Sequence, residues 1–110
     1  MNQNIKLYIS GAITNIKEPR KQFQKAEDLL IERGYIPINP CKNGLPLSAK
    51  WEHHMQVDLK MMERADGVAL LDGWENSMGA RIERQHAEYL NIPVKSLKEW
   101  LSACPEISSK

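Results

Sequence analysis

The chain has 110 residues and a mass of 12.6 kDa, enough for one hydrophobic core and not for two. Hydrophobic residues make up 42% and charged residues 26%, which excludes a disordered or fibrous protein. Lys and Arg number 15 against 14 Asp and Glu, and that near-balance argues against a nucleic acid polymer as the main partner.

A single domain over residues 1–110 is the expectation. Charge is unevenly spread along it. The first fifty residues carry eight basic and four acidic side chains, and the remaining sixty carry seven basic and ten acidic. Working carboxylates are therefore sought in the second half. Cys41 and Cys104 lie far apart without metal-ligand spacing, so neither a disulfide scaffold nor a zinc module is expected. The N-terminus lacks the pattern of a secretion signal. The apolar run Val68–Leu71 falls far short of the ~20 residues that span a bilayer. These features point to a cytoplasmic protein with free thiols and no membrane partner.

Along the chain, Ile5–Ser10 is a β-branched apolar run ended by Gly11 and reads as a first strand. Pro19 suits the first turn of a helix, and Phe23, Ala26 and Leu30 mark its apolar face up to Gly34. Tyr35–Ile38 is a short second strand. Asn39–Lys50 is a long loop with two prolines and a glycine, of a length that is often functional. A second helix follows with Trp51, Met55, Leu59 and Met62 on one stripe. Gly67–Leu71 reads as a strand covered on both faces. Gly73–Ser77 is a turn, Met78–Leu90 a third helix, Ile92–Val94 a fourth strand and Leu97–Ala103 a last helix. This alternation predicts a three-layer α/β domain of Rossmann-like or flavodoxin-like type, with a parallel sheet of four to five strands. Ligands in such domains bind at the carboxyl ends of the strands, here Ser10-Gly11, Pro37-Ile38, Asp72-Gly73 and Lys95-Ser96.

Three features carry chemistry. Ser77 fits the N-cap of the third helix, and Gly79 falls in its first turn, where glycine costs about 1 kcal/mol relative to alanine. Two readings stand: a plain cap with a tolerated glycine, or a backbone anion site. Glu83 shares a helix face with Ala80, Ala87 and Leu90, and Asp58 shares one with Trp51, Met55 and Met62. A carboxylate on a core-facing stripe needs a partner or a job. A salt bridge from Glu83 to Arg64 or Arg81, or a solvent-facing Glu83, is the structural alternative. Two inward carboxylates on different helices are the equipment for cleaving a glycosidic bond.

Tyr8-Ile-Ser10-Gly11-Ala12 places hydroxyls and small residues at the ligand edge of the first strand. It holds no dinucleotide GxGxxG loop, and the chain has no Walker motif or GxSxG elbow. His53, His54 and His86 read as exposed or core-edge residues. Trp51 and Trp74 are either packing groups or platforms for a base.

Tyr8-Ile-Ser-Gly, the Asp58-Leu pair and Ser77-x-Gly79-x-x-x-Glu83-x-x-x-Ala87 together resemble the nucleoside 2-deoxyribosyltransferase-like superfamily. The similarity extends over residues 5–95. It lies nearest a prokaryotic and phage branch marked by Gly73-Trp74-Glu75-x-Ser77-x-Gly79-Ala80-x-x-Glu83. The resemblance implies an enzyme acting on a nucleoside or a nucleoside 5′-monophosphate. It implies Glu83 as the nucleophile at C1′, Asp58 as the group assisting departure of the base, and Tyr8 as the residue orienting the glutamate. Substrate contacts are implied for Ser10, Gly11, Ala12, Asp72, Trp74, Ser77 and Gly79. No metal or organic cofactor is implied, and a homo-oligomer is. Ser77 matches a phosphate-contacting serine of the related nucleotide hydrolases. Ala12-Ile13-Thr14 departs from their Ser-Ile-Arg, leaving Thr14, Lys17, Arg20 or Arg81 to hold a phosphate. The alternative is a nucleotide-binding or sensing module of the same fold without turnover.

Overall fold

Successive side chains in a strand point to opposite faces of the sheet, and in β1 (Lys6–Ser10) both faces are covered. Leu7 and Ile9 join one apolar cluster with Phe23, Ala26, Leu30 and Trp100. Tyr8 joins a second with Met62, Val68, Leu70 and Ala87. The protein is described from a computed structural model over residues 5–13, 17–46 and 48–103. Thr14 and Cys104 lie outside the described residues.

Three further strands complete the sheet: β2 (Ile36–Ile38), β3 (Gly67–Leu70) and β4 (Val94–Ser96). All pairs are parallel, in the order β2-β1-β3-β4. Helices α1 (Pro19–Glu32) and α4 (Leu97–Ala103) pack on the face of Leu7 and Ile9. Helices α2 (Trp51–Met62) and α3 (Met78–Tyr89) pack on the face of Tyr8. This is the three-layer α/β arrangement expected from the alternation. The chain winds outward from β1 to β2, then crosses back to β3. The strand order therefore reverses between β1 and β3, and a crevice opens at their carboxyl ends.

Local sequence accounts for most element limits. Pro19 occupies the first turn of α1, and the buried residues of that helix are Phe23, Ala26 and Leu30. Gly67 lies against the Trp100 ring: a Cβ there would come within 2.6 Å of it. The Trp100 indole N–H donates to the Val68 carbonyl at 2.7 Å, which docks α4 on the sheet. The long loop contains a 3-10 turn, Pro40–Lys42, where the Asn39 side-chain oxygen accepts from the Cys41 amide at 2.9 Å.

The fourth strand starts two residues later than Ile92–Val94. Asn91 adopts a left-handed φ of 62° just past α3, and the Ile92 amide returns to the Ala87 carbonyl at 2.8 Å. Ile92 thus belongs to the helix end. Pairing with β3 begins at Val94 opposite Val68. Among the described residues no helix is long and apolar enough to cross a membrane.

Candidate active site

Tyr8 and Ser10 alternate onto the α2/α3 face of β1 and reach its carboxyl end. Both are fully buried. Glu83, one turn into α3, lies over them. The Tyr8 hydroxyl donates to Glu83 Oε2 at 2.7 Å, and the Ser10 hydroxyl donates to Oε1 at 2.6 Å. Glu83 is 5% exposed, and its ordered partners are hydroxyls rather than a cation. Neither Arg64 nor Arg81 pairs with it, so the structural alternative of a salt-bridged or solvent-facing Glu83 is not what the fold contains.

Burial pushes the Glu83 carboxyl up to about 7. The Ser10 and Tyr8 bonds oppose that rise, and the nearby Asp58 charge adds to it. The Tyr8 phenol is held well above its ordinary value, first by burial and then by the charges of Glu83 and Asp58. It therefore stays protonated and serves as a donor.

Asp58 projects from the inner face of α2 with Met55 and Met62, as its spacing predicts. It is 5% exposed, and burial raises its carboxyl, a rise opposed first by the Asn43 hydrogen bond and then by the nearby His54 ring. The Asn43 amide donates to Asp58 Oδ1 at 2.8 Å. Asn43 comes from the long loop, which α1 holds in place. The Glu27 carboxylate accepts from Asn39 at 3.1 Å and from Lys42 at 2.9 Å.

Asp58 and Glu83 both line one cavity of about 230 Å³, somewhat below the roughly 300–1,000 Å³ of ordinary ligand pockets. Ser77 caps α3, its hydroxyl oxygen accepting from the Ala80 amide at 3.1 Å. Ser77 and Gly79 both reach the wall. A Cβ on Gly79 would sit 3.2 Å from the Met55 sulfur and 3.8 Å from Trp51 Nε1. Glycine therefore keeps that stretch of wall open. Gly11 also lines the cavity, while Ser10 acts behind it through Glu83.

Three expected contact residues lie elsewhere. Ala12 is half-buried and is not part of the cavity wall. Asp72 is exposed. Gly73 takes a φ of 87°, and a 3-10 turn over Trp74–Asn76 carries Trp74 to the outer side of α3. There its ring lies 5.3 Å from the Arg84 guanidinium carbon. Of the cations considered for a phosphate, Arg20 lines the cavity, and Arg81 lies in the outer groove with Trp74.

Asn43, Cys41, Trp51 and His54 also line the cavity. The length of the loop signalled its importance, but nothing in the sequence singled out Asn43. His54 is a wall residue, whereas His53 is exposed and His86 pairs with Glu63 at 3.1 Å. Among the described residues no group of three or more His, Cys, Asp or Glu side chains is placed to hold a metal ion.

A parallel, doubly wound sheet with two buried carboxylates at its point of reversal defines a Rossmann-like α/β protein with a small-molecule cavity. The chain belongs to the family described as "Domain of unknown function (DUF4406)", whose model matches residues 5–96. Its structure is similar to that of a 2-deoxyribosyltransferase from the psychrotolerant bacterium Bacillus psychrosaccharolyticus. The TM-score is 0.64 and the identity 26%, over 81% of this chain and 69% of that one. This likeness bears out the resemblance drawn from the motifs. No curated protein sequence matches the chain.

Proposed function

We propose that this protein cleaves the N-glycosidic bond of a nucleoside or nucleoside 5′-monophosphate, with Glu83 as nucleophile. The observation that carries the reading is the buried Glu83 carboxylate, held by two hydroxyls on the wall of a cavity that it shares with Asp58. The similarity to a 2-deoxyribosyltransferase supports the same class of substrate.

In this reading a Glu83 oxygen attacks C1′ of the sugar. The C1′–N bond breaks with its electron pair passing to the base, and the Asp58 carboxyl supplies the proton the base takes up. A glycosyl ester on Glu83 results. Water, or the nitrogen of a second base, then attacks C1′ and gives its proton to Asp58, which releases Glu83. Tyr8 and Ser10 hold the two Glu83 oxygens in a fixed plane, so the attacking atom is oriented before substrate arrives. Gly11, Ser77 and Gly79 form the part of the wall that receives sugar and any 5′ substituent. The reading includes a cytoplasmic homo-oligomer, in which a second copy closes a cavity that one chain leaves small.

Chromatography of nucleobase release from a panel of nucleosides and their monophosphates tests the reaction. Wild type is expected to release base from at least one member, and Glu83→Gln from none. Equal release by both proteins overturns the assignment of the nucleophile. Tight binding of a nucleotide without release by wild type supports the sensing module instead.

A further inference from the structure

Asn43 and His54 form a hydrogen-bonded chain with only one consistent arrangement of protons. The Asn43 side-chain oxygen accepts from the Leu45 amide at 3.0 Å, and an amide N–H can only donate. That bond settles which end of the Asn43 side chain is which. Its NH2 group therefore faces Asp58 Oδ1 at 2.8 Å and His54 Nδ1 at 3.1 Å. Two hydrogens meet two acceptors, so His54 Nδ1 carries no proton. On the other side of the ring, His54 Nε2 lies 3.1 Å from the Pro46 carbonyl oxygen, which can only accept. Nε2 must carry the proton.

We propose that Asn43 and His54 are positioning residues that aim Asp58. In this arrangement a neutral His54, protonated on Nε2, holds the Asn43 amide so that it occupies Asp58 Oδ1 and leaves Oδ2 as the oxygen that carries the catalytic proton. Among the described residues Oδ2 has no hydrogen-bond partner, and Asp58 lines the cavity. The alternative orientation fails at both ends. Turning the Asn43 amide over would set its NH2 against the Leu45 N–H and its oxygen against Asp58 Oδ1. A proton on His54 Nδ1 would likewise confront the Asn43 NH2.

The arrangement ties the loop to the site. Pro46 and Leu45 supply its backbone ends, and Glu27 of α1 braces the turn before it through Asn39 and Lys42. Besides His54, the titratable and charged groups around Asp58 are Glu83 from α3, Tyr8 from β1, Cys41 from the loop and Arg20 from α1. Among the described residues none of them hydrogen-bonds Asp58, and Asn43 is the donor whose removal alters its hydrogen bonding. The catalytic part of the proposal rests on the reaction proposed above. The proton arrangement does not.

Nuclear magnetic resonance separates the two. Long-range proton–nitrogen correlation of the histidine rings in the wild-type protein, with His54 assigned by the loss of its signals in His54→Gln, reads the tautomer directly. The Nε2–H form is expected at neutral pH, and the Nδ1–H form overturns the arrangement whether or not the protein turns over any substrate. Carbon-13 titration of the Asp58 carboxyl in Asn43→Ala is expected to move upward relative to wild type, because a donor to the charged form is gone. An unmoved titration in a folded variant refutes the role of Asn43. With base release as readout, Asn43→Ala is expected to lower kcat about tenfold or more with KM little changed, as for a displaced acid. An unchanged kcat defeats the positioning role while leaving the Glu83 reaction intact. Loss of release by wild type defeats that reaction while leaving the tautomer result standing.

Discussion

The two faces of the sheet are built on opposite principles from the same strand. On the α1/α4 face, Leu7, Ile9, Phe23, Leu30 and Ala69 meet with polar atoms confined to the tips of Tyr35 and Trp100, each with a carbonyl acceptor. On the α2/α3 face, Tyr8, Ser10, Asp58 and Glu83 are as deeply buried, but they carry hydroxyls and carboxylates. A buried carboxylate destabilises a fold unless bonded, and even then its charged form is disfavoured. Both faces bury apolar side chains, the second with Met62, Val68, Leu70 and Ala87, but the α2/α3 face adds buried carboxylates whose charged forms oppose stability.

The sharpest way to break this comparison is to neutralise Glu83. Glu83→Gln is expected to lower base release at least a thousandfold, about the range of a lost nucleophile, while the protein stays folded by circular dichroism. Next comes Phe23→Ala on the opposite face. It should cost about 3–5 kcal/mol in denaturant unfolding and leave release per folded molecule unchanged. If Phe23→Ala harmed turnover and Glu83→Gln harmed stability, the division between the faces would collapse.

A pH series sharpens the contrast. Glu83 titrates near 7 in the folded protein against an ordinary value of 4.5, so the folded state binds more protons between those pH values. Its contribution to stability is fully present below 4.5 and is lost as pH rises through 7. The stability difference between wild type and Glu83→Gln should therefore decline on the order of 3 kcal/mol across that window, then level off. The check is a set of urea midpoints from pH 4 to pH 8, and a flat difference would contradict a buried, raised carboxyl.

Tyr8→Phe removes one donor to the charged form of Glu83. The rising limb of the pH–rate profile should then move to higher pH, with a rate loss of about tenfold at pH 7. The smallest effect is expected for Gly79→Ala. The methyl should raise KM a few-fold through contact with Met55 and Trp51, while helix propensity adds up to about 1 kcal/mol of stability. Steady-state kinetics beside thermal melts would show whether the two move in opposite directions.

Much of the fold was legible because it follows local rules. The limits of α1 and α4, the buried runs of β1 and β3, and the inward stripes holding Asp58 and Glu83 all match their sequence periods. The end of α3 is legible at Leu90, but β4 starts two residues after Ile92 because the Ile92 amide closes back on the Ala87 carbonyl, a contact that the apolar pattern does not encode. Trp51 and Trp74 were indistinguishable in sequence. Only the left-handed turn at Gly73 sends Trp74 to the outer groove and leaves Trp51 at the cavity.

The sequence by itself determined the alternation of strands and helices, and the faces on which Asp58 and Glu83 lie. A helix period of 3.6 and a strand period of 2 act within a few residues of each position. Tertiary structure decided what those faces meet. The Tyr8 and Ser10 hydroxyls reach Glu83 across 75 and 73 residues of chain, and Asn43 reaches Asp58 from a loop with no regular period. Such contacts depend on strand order and helix docking, which no local pattern encodes.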